Sequence, residues 1–295
     1  MGDNIQKIDD IEKQPQPIRQ SVDSLDNTGS VLVDELSKGK GKKYIRFIMA
    51  ALGSIPWVGS YLSILGAVAG LSAEFDQDKV NGLLKLWIEE HKPKLEELGR
   101  TLDEIFSRLN NFGEEVQQRI ESPEYLALVR KAFRSWDEAD TEDKRQMLKK
   151  LIMNAGATAL CTDDLVRLFI KWIDEYHEAH FSVIKEIYKS SGITRGQIWD
   201  RSHTQRPRED AAEADLFRYL IRDLSTGGVI RQNRETTYDG QFVKQKPSHH
   251  VKGTVSSVME SAFEDTKPYV LTELGKEFVH YVLNEVVPRV EASTV

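Results

Sequence analysis

Residues 269–278 read YVLTELGKEF. Tyr269-Val-Leu271 leads into Thr272-Glu-Leu-Gly275. Phe278, Val279, Tyr281 and Val282 continue at helical spacing. The stretch predicts a closing amphipathic helix. The residues before it supply the rest of a small module.

Working back toward the N-terminus, Phe181, Ile184, Ile187 and Tyr188 mark a helix that Ser190-Ser191-Gly192 closes. Thr194-Arg-Gly-Gln197 has capping-box spacing and opens a short second helix through Ile198 and Trp199. A polar, basic linker follows. A third helix is predicted from about Asp210 to Leu224, with Leu216, Phe217, Leu220 and Ile221 facing inward. Thr226-Gly227-Gly228 turns the chain into a predicted strand, Val229–Glu235. Tyr238-Asp239-Gly240 carries the Asp-Gly hairpin signal, and Phe242–Lys246 would return as the second strand. Three helices, a two-stranded wing and a closing helix make a winged helix. The connection 247–267 is longer than usual and is read as a mobile loop.

Upstream, the pattern is helical, with no strand signal before residue 225. Val80, Leu83, Leu84, Trp87 and Ile88 recur at helix spacing, as do Leu95, Leu98, Leu102, Ile105, Phe106 and Leu109. Pro93 is expected to break or kink that run. Ser122-Pro123, Thr141 and Thr162-Asp163 each begin a further helix. The expected fold class is mainly α: a polar tail at 1–43, an all-α helical domain at 44–178 and a winged-helix (α+β) domain at 179–295.

The segment YVLTELGKEF resembles the end of MarR- and PadR-type regulator domains, where a strand enters a helix through "LTxxG". That resemblance covers roughly residues 180–285. The whole order of elements resembles uncharacterised bacterial proteins sharing stretches such as ESPEYLALVRKAFRSW and DLFRYLIRDLSTGGVIRQ. More distantly, the helical half is similar to abortive-infection (Abi-alpha) proteins. These likenesses imply a bacterial accessory or defence context.

The chain of 295 residues has a net charge of −7, 40% hydrophobic and 29% charged residues, as expected of a globular protein. The acidic balance weighs against affinity of the whole chain for nucleic acid, while leaving room for a local basic patch. From His180 to Val295 there are 16 Lys+Arg and 16 Asp+Glu. The candidate phosphate contacts are Arg195, Arg201, Arg206 and Arg208 before the third helix, Arg218 and Arg222 on it, and Arg231, Arg234, Lys244 and Lys246 on the wing. Against them, Glu209, Asp210, Glu213 and Asp215 crowd the start of that helix, where a recognition helix usually meets the groove. DNA binding and protein contact both remain open.

From Phe47 to Leu71 no residue is charged: FIMAALGSIPWVGSYLSILGAVAGL. The length would span a bilayer core, which needs roughly 20 apolar residues. Gly59, Ser63 and Ala67 fall four apart. Gly53 to Gly59 also reads as a break between two shorter helices. The readings are a buried hairpin, a hairpin released into a membrane, and a permanent membrane segment. Trp57, Tyr61, Leu62, Leu65, Gly66 and Gly70 are the candidate membrane or oligomer contacts. A protein partner or self-association is expected, and the location is cytoplasmic with membrane association as the alternative. The polar start MGDNIQKIDD is not a secretory signal.

No motif carries an enzymatic reaction, and no cofactor is expected. Walker A, GxGxxG, GxSxG and CxxC spacings do not occur. His177 and His180 sit three apart near Asp174 and are weak metal candidates. Cys161, the only cysteine, is read as structural. The expectation is a non-catalytic sensor-effector, with the winged helix for recognition and the helical half for assembly or membrane perturbation. The alternative is a DNA-binding regulator with a helical dimerisation domain.

Overall fold

The computed structural model describes residues 41–59, 77–110, 112–158, 161–234, 237–239, 241–243 and 260–283. It is mainly helical with a small three-stranded antiparallel sheet. The chain divides into two compact units, Met1–Asp140 and Thr141–Val295.

The N-terminal unit contains α1 (Gly41–Ser54), α2 (Gln77–Leu109), α3 (Glu114–Glu121) and α4 (Pro123–Glu138). Pro93 lies inside α2, so the helix is not broken there. Ser122 accepts a hydrogen bond from the Tyr125 N–H and precedes a proline at the first helical position, which starts α4 where the sequence predicts. Tyr44 stacks on Phe106 at 4.2 Å, and Phe47 meets Phe106 and Phe133 edge-on. Phe47, Ile48, Ala51, Leu52, Ile55 and Val58 are all buried. The first half of the uncharged segment is therefore core, with α1 lying on α4. Trp57, half-buried, donates from Nε1 to Asp137 Oδ1 at 2.7 Å and stacks on His91. Tyr61, Leu62, Leu65, Gly66 and Gly70 lie outside the described residues. No helix among the described residues is long and apolar enough to cross a membrane.

The C-terminal unit contains α5 (Glu142–Ala157), α6 (Asp163–Glu175), α7 (Glu178–Lys189), β1 (Ile193–Thr194), α8 (Arg195–Ser202), α9 (Ala212–Thr226), β2 (Ile230–Gln232), β3 (Pro268–Leu271) and α10 (Glu273–Val282). This compact unit includes α5 and α6, which pack with the C-terminal elements. Phe169 of α6 meets Phe278 edge-on at 5.4 Å, and Trp172 does the same from the next turn. Asn154 of α5 donates to the Tyr281 carbonyl at 2.7 Å. Burying each such ring contributes about 1.5–3 kcal/mol.

The sheet order is β1-β3-β2, and both pairings are antiparallel. Ile230 pairs with Leu271, Arg231 with Val270 and Gln232 with Tyr269. The ladder partner of β2 is thus Pro268–Leu271, not the expected 242–246. Tyr269, Val270 and Leu271 are buried, whereas Phe242 and Val243 are half exposed, so the distant strand brings more apolar surface out of water. The expected turn at Tyr238-Asp239 is present: Thr237 N–H donates to the Gln241 carbonyl at 2.7 Å. Part of the connection read as mobile, 260–267, is packed, with Ala262 and Phe263 buried. Its remainder, 247–259, lies outside the described residues. The LTxxG stretch now has a physical cause. Thr272 caps α10 by accepting from Gly275 N–H at 2.9 Å. A Cβ at Gly275 would fall on the carbonyl oxygen of Val229, so only glycine lets α10 approach the sheet this closely.

Candidate functional site

Along α9, Ala214, Phe217, Leu220, Ile221 and Leu224 are buried. That leaves Asp215, Arg218, Tyr219, Arg222 and Ser225 on the opposite face at three- and four-residue spacing. This face forms one wall of an open cleft of about 860 Å³. Ile230, Arg231, Gln232, Arg234 and Phe242 supply another wall, and Arg195, Glu260 and Tyr269 complete the lining. Five arginines face two carboxylates there, a formal excess of three positive charges.

The arginines differ in how they are engaged. Arg218 is consumed by Glu209, by Asp215 Oδ1 at 2.7 Å and by the carbonyls of Glu209 and Glu260. Arg195 donates from Nε and Nη2 to the Tyr269 hydroxyl at 3.0 and 2.6 Å, with Glu260 Oε2 3.7 Å away. Arg231 lies 5.0 Å over the Phe242 ring, and its buried Nη1 has no hydrogen-bond partner among the described residues. Arg222 and Arg234 are exposed and make no ion pair with another described residue.

The other predicted cations are elsewhere in the unit. Arg201 donates to Ser190 Oγ at 2.8 Å and to Glu186 Oε2 at 3.4 Å. Arg206 grips both oxygens of Asp200 and reaches Asp265 Oδ2 at 3.0 Å. Those hydrogen bonds push its pKa up and hold Asp200 below the usual carboxylate range. Arg208 forms a two-pronged pair with Asp210, whose carboxyl it holds low in the same way. Lys244 and Lys246 lie outside the described residues.

The carboxylates at the start of α9 are largely compensated. Glu209 is partly desolvated, which works against its charge. Even so, hydrogen bonds from Ser261, the Ala262 N–H and Arg218 hold its pKa below normal. With Asp210 and Asp215 also paired to arginine, three of the four acids that weighed against phosphate are tied up.

His180 is buried. Its Nδ1 accepts from the His177 N–H at 3.1 Å, and its Nε2 lies 3.2 Å from Asp223 Oδ2. It stacks on Tyr176 at 4.9 Å. Accepting at Nδ1 places the neutral ring's proton on Nε2, toward Asp223. Burial lowers its pKa, and the carboxylate opposes that only in part. The ring thus closes the N-terminus of α7, and His177 stands exposed beside it. No group of three or more His, Cys, Asp or Glu among the described residues is placed to hold a metal ion. Cys161 is buried, its thiol pushed up to about 11 by burial and by Glu277.

Sequence reasoning misses Tyr219, Phe242, Ser225 and Gln232 as lining residues. Tyr219 is within its reach, since it lies between Arg218 and Arg222 on a predicted helix. Phe242 is not, because its place depends on a pairing that the sequence misassigns. Compared with protein-family models, curated proteins and solved structures, the chain matches none.

Proposed function

We propose that the C-terminal unit is a winged-helix module that binds nucleic acid through its arginine cleft, and that the chain is a non-catalytic recognition protein. The order α7-β1-α8-α9-β2-β3 with sheet order β1-β3-β2 supports the winged-helix reading. One observation carries the binding reading: Arg222, Arg231 and Arg234 converge on one cleft without a carboxylate partner among the described residues. Phosphate oxygens would complete them. The N-terminal unit takes the assembly or effector role in this proposal. Burial of Phe47, Ile48, Ala51, Leu52, Ile55 and Val58 supports a structural role for the first half of its apolar segment. The bacterial accessory setting rests on the resemblance alone.

The test is a binding titration of the full chain against single- and double-stranded DNA across a salt series. Affinity should fall steeply with salt. The triple variant Arg222→Ala, Arg231→Ala, Arg234→Ala should flatten the log–log slope by about 2–3, at roughly 0.7–0.9 for each phosphate no longer neutralised. Absence of binding at low salt, or an unchanged slope in a folded triple variant, rejects the proposal.

A further inference from the structure

Resting on the nucleic-acid reading above, we propose that the cleft seats an unpaired nucleotide, its phosphate held by Arg222, Arg231 and Arg234 and its base against Phe242. Three features distinguish this from reading a duplex.

The first is shape. A helix that reads the major groove must protrude into it. Here the polar face of α9 is the wall of a concavity of about 860 Å³. That volume lies within the roughly 300–1,000 Å³ typical of pockets that enclose small ligands. The exposed first turn of α9 also carries Glu213, the one acid there without an arginine partner among the described residues, which would face a duplex backbone.

The second is aromatic exposure. Tyr219 is 46% exposed and Phe242 49% exposed, both at the cleft. Unpaired bases are recognised by stacking on such rings and on arginine planes, and a paired base inside a duplex has no free face to offer. Arg231 already lies over one side of Phe242, so the stack is part-built.

The third is an unmet donor. Arg231 Nη1 is buried with no hydrogen-bond partner among the described residues. A buried charged donor left unsatisfied is costly, and a phosphate oxygen would relieve it once the guanidinium turns toward the cleft. Gln232 adds a side chain able to donate to and accept from a base edge, and the Ser225 hydroxyl, which donates to the Ile221 carbonyl at 2.7 Å, can still accept.

The chemistry fits either a nucleotide within a single strand or a free mononucleotide. Fluorescence anisotropy on the full chain separates the possibilities with four probes: a labelled single-stranded 12-mer, the same strand with abasic sites, the matching duplex, and unlabelled mononucleotide as competitor. The intact strand should bind more tightly than both the abasic strand and the duplex. One base–aromatic stack corresponds to a preference of roughly 5- to 150-fold. Phe242→Leu, at a half-exposed position, should bring the intact-to-abasic ratio toward one while the fold is retained. Displacement by mononucleotide assigns the seat to a free nucleotide, and failure to displace assigns it to a nucleotide in a strand. Equal binding of intact and abasic strands, or duplex preferred over strand, overturns the nucleotide seat and leaves the nucleic-acid reading intact. No binding of any strand or duplex overturns both.

Discussion

Phe169 offers a direct test of where the C-terminal unit begins. Its ring is fully buried and touches Phe278, Trp172 and Tyr281. Phe169→Ala removes most of a benzyl group from this cluster and leaves a cavity bounded by rings on α6 and α10. Buried Phe→Ala changes cost about 3–5 kcal/mol. For a unit of this size that corresponds to a drop in melting temperature of roughly 6–20 °C. The location of the damage is the informative part. Hydrogen exchange followed by mass spectrometry on the full chain should show protection reduced in 163–175 and 273–282 together. Peptides covering 95–109 and 123–138 should keep theirs. If protection instead falls in 95–138 while 273–282 is unchanged, α6 belongs with the N-terminal helices and the packing described above is wrong.

Gly275→Ala should destabilise the C-terminal unit by about 1–3 kcal/mol, because the added methyl meets the backbone of Val229; chemical denaturation measures it, and a neutral result refutes the close approach. Tyr281→Phe should cost about 0.5–1.5 kcal/mol, since its hydroxyl pairs with Thr158 Oγ1 at 2.8 Å and accepts from the Cys161 N–H at 2.9 Å; the same denaturation assay measures it. His180 titrates below the ordinary imidazole value of 6.5 in the folded chain, so the unfolded chain binds its proton first. Stability is therefore level above about pH 6.5 and declines as pH falls from there through the lowered folded value. In His180→Gln the slope of stability against pH in that window should be shallower, whatever the absolute loss. Equal slopes would mean that the ring is not held neutral.

What can be read from sequence is set by how local the physics is. Helix starts at Ser122, Thr141, Thr162 and Thr194 are legible because a cap involves residues only three apart. The partner of β2 is not. Phe242–Lys246 reads as the returning strand because it follows the Asp-Gly turn, whereas the pairing with Pro268–Leu271 depends on which segment covers the core. The periodicity of α6 likewise announces a buried face at Phe169 and Trp172 without saying what buries it. Its partner, Phe278, lies more than 100 residues away in the chain.

The arginines make the same point for the site. Ten cations look equivalent in the sequence, and the eight described ones divide by their neighbours. Arg206 and Arg222 are the same residue type. Arg206 is locked by Asp200, six positions before it, and by Asp265, fifty-nine after it; Arg222 has no such neighbour among the described residues. The balance of 16 positive and 16 negative residues after His180 therefore conceals an uneven distribution. The acids are concentrated on Arg201, Arg206, Arg208 and Arg218, which leaves Arg222, Arg231 and Arg234 with the surplus. Screening limits the reach of exposed charges to about 8–10 Å at physiological salt. A ligand in the cleft therefore responds to the five arginines and two carboxylates that line it, far more than to the charge of the whole chain.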